Sequence, residues 1–150
     1  MLNQKIIDFL LLGSFLFMAC FTLVPEPSLG IGIEKGKINI IPLHTIKNSL
    51  FHQTFLNFTI NNLGNIVLFI PFGLFVSFKL KNLNKVWRVI FIGMIISIVI
   101  ECIQLFIPNR WTDIDDVLLN TLGTGVGYII FKIINKFYKK INAHNQEGSF

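Results

Sequence analysis

Charge is scarce in this chain. Lys, Arg, Asp and Glu together make up 14% of its 150 residues, against 53% hydrophobic, and the mean hydropathy is +0.66. Soluble domains carry about a quarter charged residues, so an ordinary water-soluble fold is excluded. Cysteine is almost absent. Cys20 and Cys102 are too few for a disulfide framework, and they form no paired CxxC site. Histidine is limited to His44, His52 and His144, whose separations lack metal-ligand spacing. The chain also has no phosphate-binding glycine loop and no nucleophile elbow, which disfavours a soluble-type hydrolase or nucleotide enzyme. No internal repeat is present.

Long apolar runs are what the chain does have. Ile6–Val24, Leu63–Phe78, Val89–Ile107 and Val117–Ile134 approach or reach the roughly 20 helical residues needed to cross a hydrocarbon core. The expected fold is all-α: a single membrane domain over residues 1–150, built as a bundle of four transmembrane helices, with a short polar tail at 142–150 left frayed. Lys5 ahead of the first run, and Met18-Ala19-Cys20 within it, resemble an export signal or a lipoprotein cleavage site. The run continues through Phe21-Thr22-Leu23-Val24 before Pro25 and Pro27 stop it, which fits a retained anchor better.

The 13 basic residues set an orientation. Lys5, Lys79, Lys81, Lys85, Arg88, Lys132, Lys136, Lys139 and Lys140 fall on one side of the four spans; Lys35, Lys37, Lys47 and Arg110 fall on the other. Basic residues in short connections stay in the cytoplasm, so both termini and the middle connection are expected inside the cell. Residues 25–61 and 108–116 are expected outside, with Trp87 and Trp111 as interfacial anchors. The net charge of +5 is accounted for by these flanks meeting anionic lipid headgroups, without nucleic acid. Cys20 and Cys102 fall within spans toward their outer ends, where a buried thiol acts as a small apolar group.

The acidic and amide residues are concentrated in a different place. The segment "IECIQLFIPNRWTDIDDVLLNTLG", residues 100–123, holds Glu101, Gln104, Arg110, Asp113, Asp115, Asp116 and Asn120 between oily stretches. Glu101 lies six residues short of Ile107, about 9 Å inside the outer end of its span, and Asn65 enters the second span at a similar depth. Asn62 with Asn65, Glu101 with Gln104, and Asp116 with Asn120 are three or four residues apart, so each pair shares a helix face. Three helices therefore present polar faces at one outward-facing level. An ionised Glu101 in the bilayer costs a few kcal/mol and should face the interior with a partner, water or a proton. Arg110 is the obvious partner, although Pro108 and roughly 13 Å of intervening helix require the chain to fold back.

Two readings of this cluster stand side by side. In one it is a structural clasp, capping the fourth helix at Asp113 or Asp115 and tying it to its neighbours. In the other it is an outward-open site. Intramembrane ionisable groups are functional candidates, and three aspartates with Glu101 exceed what capping requires. Gly123 and Gly127, four apart, permit close helix approach. Pro71 and Gly73 are expected to interrupt the second helix near mid-membrane, either lining a cavity or allowing a kink.

"NIIPL" (39–43), "NNLGNIVLFIPFG" (61–73) and "IECIQLFIPNRWTDIDDVLLNTLGTGVGY" (100–128) resemble the VanZ-like family, over about Asn39 to Phe131 and in the family's order. The E-x-x-Q, R-x-x-D-x-D-D and N-x-x-G series is specific in combination. Family members commonly read Leu-Ile-Pro-Phe where this chain has Ile40-Ile41-Pro42-Leu43. By position, the resemblance marks Asn62, Asn65, Pro71, Glu101, Gln104, Arg110, Asp113, Asp115, Asp116, Asn120 and Gly123. It implies a small multi-pass protein of the bacterial cell membrane, whose namesake is associated with low-level resistance to the lipoglycopeptide teicoplanin without a change in the peptidoglycan terminus.

Two functional classes follow. The first is a non-enzymatic envelope protein that hinders antibiotic access, with membrane lipids, a lipid-linked envelope precursor or a lipoglycopeptide as partner and no cofactor. The second is a membrane enzyme or carrier acting on an anionic lipid-linked envelope molecule. There Arg110 would hold phosphate or carboxylate, and Asp113, Asp115 and Asp116 would move protons or bind a hard divalent cation such as magnesium.

Overall fold

The computed structural model describes residues 3–23, 38–52, 54–80, 85–107 and 110–147. Its elements, in chain order, are α1 (Gln4–Leu23), β1 (Ile38–Asn39), α2 (His44–His52), α3 (Phe55–Lys79), α4 (Val86–Gln104), β2 (Thr112–Asp113) and α5 (Ile114–Glu147). The helices α1, α3, α4 and α5 each contain a stretch long and apolar enough to cross a membrane. The fold is an all-α membrane bundle, as the four apolar runs imply.

Helix ends differ from the hydropathy boundaries for local reasons. α3 starts eight residues before Leu63, because Asn61 and Asn62 lower the hydropathy without hindering helix formation. α4 stops at Gln104, and Leu105, Phe106 and Ile107 form a turn; they are oily, yet they already lead into Pro108. α5 extends 34 residues, about 51 Å at 1.5 Å per residue, which exceeds the hydrocarbon core. Asn142–Glu147, expected to fray, are the end of this helix; residues 148–150 lie outside the described residues. Lys132, Lys136, Lys139 and Lys140 lie along its C-terminal half, all exposed. This is the basic end of the bundle. Asp8 of α1 and Lys79 of α3 form an exposed ion pair there.

α5 packs most extensively on α3, and also on α4, while α1 packs on α3. Glycine permits the closest approaches. A Cβ at Gly123 would overlap the backbone of Ile66, one at Gly127 the backbone of Ile70, and one at Gly73 the backbone of Thr124. At all three positions the missing side chain allows direct α3–α5 backbone contact. Gly93 of α4, unmarked by the sequence pattern, meets the Thr124 side chain in the same way. Pro71, in contrast, does not interrupt its helix: it lies inside a continuous α3, at the cost of the one backbone N–H that proline lacks.

Around the glycine contacts, Met18, Phe69, Phe72, Val76, Val89, Ile100 and Tyr128 form a buried apolar core, and Phe78 lies edge-on to Phe131 at 4.9 Å between centroids. Outside, large apolar side chains such as Phe9, Leu16, Val67, Phe91 and Ile129 are exposed, as lipid contact requires. Cys20 and Cys102 are free and also exposed. They are not buried thiols but part of this outward apolar surface.

Gly123→Val is expected to force α5 off α3 and destabilise the bundle by about 1–3 kcal/mol or more, read as a lower melting temperature in detergent. Gly13→Ala and Gly64→Ala, where an added Cβ meets nothing within 4 Å, are expected to be neutral or to gain up to about 1 kcal/mol.

Candidate functional site

At the end opposite the basic one, the two connections are stitched to the spans. β1 pairs in parallel with β2, Ile38 with Thr112 and Asn39 with Asp113. Asn39 Nδ2 donates to Asp113 Oδ1 at 2.8 Å and to Thr45 Oγ1 at 3.0 Å. Asp113 Oδ1 also accepts the Asp115 N–H at 2.9 Å. So Asp113 does cap the start of α5, and it binds the first connection as well.

Asp115 serves a different helix. Its carboxylate accepts the backbone N–H groups of Leu43, of Thr45 at 2.9 Å and of Ile46 at 3.1 Å. These lie at the N-terminus of α2, where backbone donors lack intrahelical partners and a negative charge is favoured. Asp115 is therefore a cap supplied from some 70 residues away, at 1% exposure. It also holds Leu43 at φ 64°, a left-handed conformation costing a non-glycine residue roughly 1–2 kcal/mol.

Glu101 and Arg110 do not pair among the described residues, contrary to the sequence expectation. Glu101 Oε2 accepts the Asp113 N–H at 2.8 Å, and Thr112 Oγ1 donates to the Glu101 carbonyl at 3.3 Å. Arg110 folds back, but to the carbonyl of Thr22 in the last turn of α1, which also accepts Gln104 Nε2 at 2.7 Å. Carbonyls of a last helical turn lack partners, and a cation complements the dipole there. Arg110 is thus a C-cap, as well as a charge near the acids: burial lowers its pKa, while Asp116 and Glu101 hold it up.

Asn65 Nδ2 donates to Asp116 Oδ1 at 2.6 Å, joining α3 to α5. Asn120 Nδ2 donates to Ser97 Oγ at 2.9 Å, joining α5 to α4. Asn62 is buried but donates to the Phe58 carbonyl within α3, so no hydrogen bond among the described residues ties it to the cluster. Gln104 Oε1, Asn120 Oδ1 and Arg110 Nε are buried without protein partners. Among the described residues no three carboxylate, imidazole or thiol groups converge to hold a metal ion, and Asp113 and Asp115 direct oxygens at backbone N–H groups.

The structure therefore brings together Asn65 with Asp116, Glu101 with Asp113, Gln104 with Arg110, and Asn120 with Ser97. Sequence reasoning missed Thr22, Asn39, Thr45, Ser97 and Thr112. Asn39 and Thr112 fall inside the motifs quoted above, though neither was singled out there; the others act through backbone groups or common hydroxyls. The VanZ/LLP1 family model matches residues 7–135, which include every residue of this cluster. The chain belongs to the VanZ/LLP1 family. It is also 31% identical over 94 residues to Protein VanZ of Enterococcus faecium, a match covering 57% of this chain and 58% of that protein. The chain thus spans under two thirds of that relative's length. No solved structure matches. With the four apolar helices, membership of this family makes it a membrane protein.

Proposed function

We propose that this VanZ-like protein acts in the bacterial cell envelope at the outer leaflet, where it lowers susceptibility to teicoplanin-type lipoglycopeptides without catalysing a reaction. The observation that carries this reading is how the polar cluster is used. Asp113, Asp115, Glu101, Gln104 and Arg110 hold connections and helix ends in place, as a built surface requires. Teicoplanin carries an acyl chain whose membrane anchoring is worth about 0.8 kcal/mol per buried CH₂. A protein presenting a rigid cap at that leaflet opposes such anchoring; vancomycin has no such chain.

Expression in a susceptible Gram-positive host is expected to raise the minimum inhibitory concentration of teicoplanin more than that of vancomycin. Equal protection against both would point to altered precursors or a thickened wall. The outward orientation rests on the basic residues. Reporters fused after Asn84 and Ile141 are expected to read cytoplasmic, and one after Lys37 external; an external reading after Asn84 inverts the assignment.

One observation favours a second reading, that of an enzyme or carrier for an anionic lipid-linked molecule. Arg110 lies within electrostatic reach of both Glu101 and Asp116, a grouping that suits a bound phosphate beside a proton-transferring acid. Lipid profiling of a deletion strain separates the two, since an enzyme leaves an accumulated substrate.

A further inference from the structure

The segment Ile38–His52 connects two spans and would ordinarily be assigned to water. Its surface does not suit water. Ile38, Ile40, Ile41, Leu43, Leu50 and Phe51 are exposed, between 47% and 78% of their full surface, and Lys47 is the segment's sole Lys, Arg, Asp or Glu. An apolar surface this continuous marks contact with lipid or protein.

Its depth is fixed by its partners. Asp115, which binds the start of α2, is the second residue of α5, and Asp113, which holds Asn39, directly precedes that helix. Glu101, three residues before the end of α4, reaches Asp113, while Gln104 at that end reaches the last turn of α1. The segment is therefore pinned level with the ends of three apolar spans, where the hydrocarbon core gives way to headgroups. At nine residues, or about 13 Å, α2 is too short to cross. It packs on α3 and α5 with Ser49 buried, leaving Phe51 and Leu50 away from the bundle. Leu105, Phe106 and Trp111, at the same level, are also exposed and extend the apolar surface.

We propose that Ile38–His52 is an interfacial membrane segment, with Ile40, Ile41, Leu43, Leu50 and Phe51 inserted among the acyl chains and glycerol groups of the leaflet at the polar end. Lys47 lies beside Phe51 on the outer face of α2 and extends its ammonium to the headgroups, as long cationic side chains do. The protein then occupies more of that leaflet than its four spans alone, and α2 forms a collar there.

The test uses the full chain in phospholipid vesicles. Trp87→Phe and Trp111→Phe remove the native indoles, and Phe51→Trp or Ile41→Trp supplies one reporter. Phe91→Trp, exposed on the flank of α4, gives the value for a fully lipid-facing indole. Quenching by acyl-brominated phosphatidylcholine is expected at both reporters to be at least about half of that at Phe91→Trp, with acrylamide quenching well below that of free indole. Acrylamide quenching close to that of free indole, with little bromolipid quenching, places the segment in water and overturns the inference. Shielding from both quenchers, which would put a second copy of the chain on this face, overturns it too. Two reporter positions, each checked for native helicity by circular dichroism, keep a single misfolded variant from deciding the outcome.

Discussion

Asp115→Ala is expected to release the segment around α2 while leaving the four spans inserted. Three backbone N–H groups converge on this carboxylate, and each buried donor left without an acceptor costs about 1–3 kcal/mol. Leu43 would also lose a contact that holds its left-handed backbone. A local loss of about 3 kcal/mol corresponds to more than a hundred-fold increase in the open population. In proteoliposomes this should appear as faster trypsin cleavage after Lys47 and as lost amide protection at Thr45 and Ile46. Asp115→Asn keeps one acceptor oxygen and should fall between. Unchanged protection in Asp115→Ala would remove the capping role.

The second large effect is expected at Arg110. Arg110→Ala removes one of two groups on the Thr22 carbonyl and a cation acting on Glu101 and Asp116. A hydrogen bond to a charged group is worth about 1.5–3 kcal/mol, and Gln104 still holds the Thr22 carbonyl after the substitution. At about 2–4 °C per kcal/mol, the melting temperature in detergent should fall by several degrees, together with abundance in the membrane. Arg110→Lys keeps the charge but not the planar fork and should recover only part of the loss. Glu101→Ala, which frees the Asp113 N–H, should behave like Arg110→Ala. Normal abundance and melting temperature with lost teicoplanin tolerance would instead make Arg110 a ligand anchor, the outcome the enzyme or carrier reading requires.

The four spans were legible because transmembrane helices announce themselves by uninterrupted apolar length, and only their ends shifted where asparagine hid helix or oily turns mimicked it. The cluster was legible as a cluster. Glu101 with Gln104 lies on α4 and Asp116 with Asn120 on α5, each pair at the three- or four-residue spacing that places it on one helix face. Which atom meets which was not legible. Asp115 caps a helix some 70 residues earlier in the chain, and Glu101 is satisfied by a backbone N–H that no side-chain pattern encodes. The elements that receive these contacts, α2 and the two-residue strands, are too short for any periodicity to reveal. Pro71 misled for a related reason: loss of one backbone donor is tolerated inside a helix that its neighbours hold in place, and α3 runs on through it.

The most direct test of the account is whether the two connections pair as described. With Cys20 and Cys102 replaced by serine, Ile38→Cys and Thr112→Cys stand opposite each other across the β1–β2 pair; neighbouring strands lie about 4.8 Å apart, inside the roughly 4.4–6.8 Å Cα range of disulfides. Mild oxidation in native membranes is expected to cross-link this pair rapidly and nearly completely, whereas Ile40→Cys with Thr112→Cys, two residues out of register, should link slowly. Failure of the in-register pair to link, or equal rates for both, would contradict the clasp and the site geometry built on it.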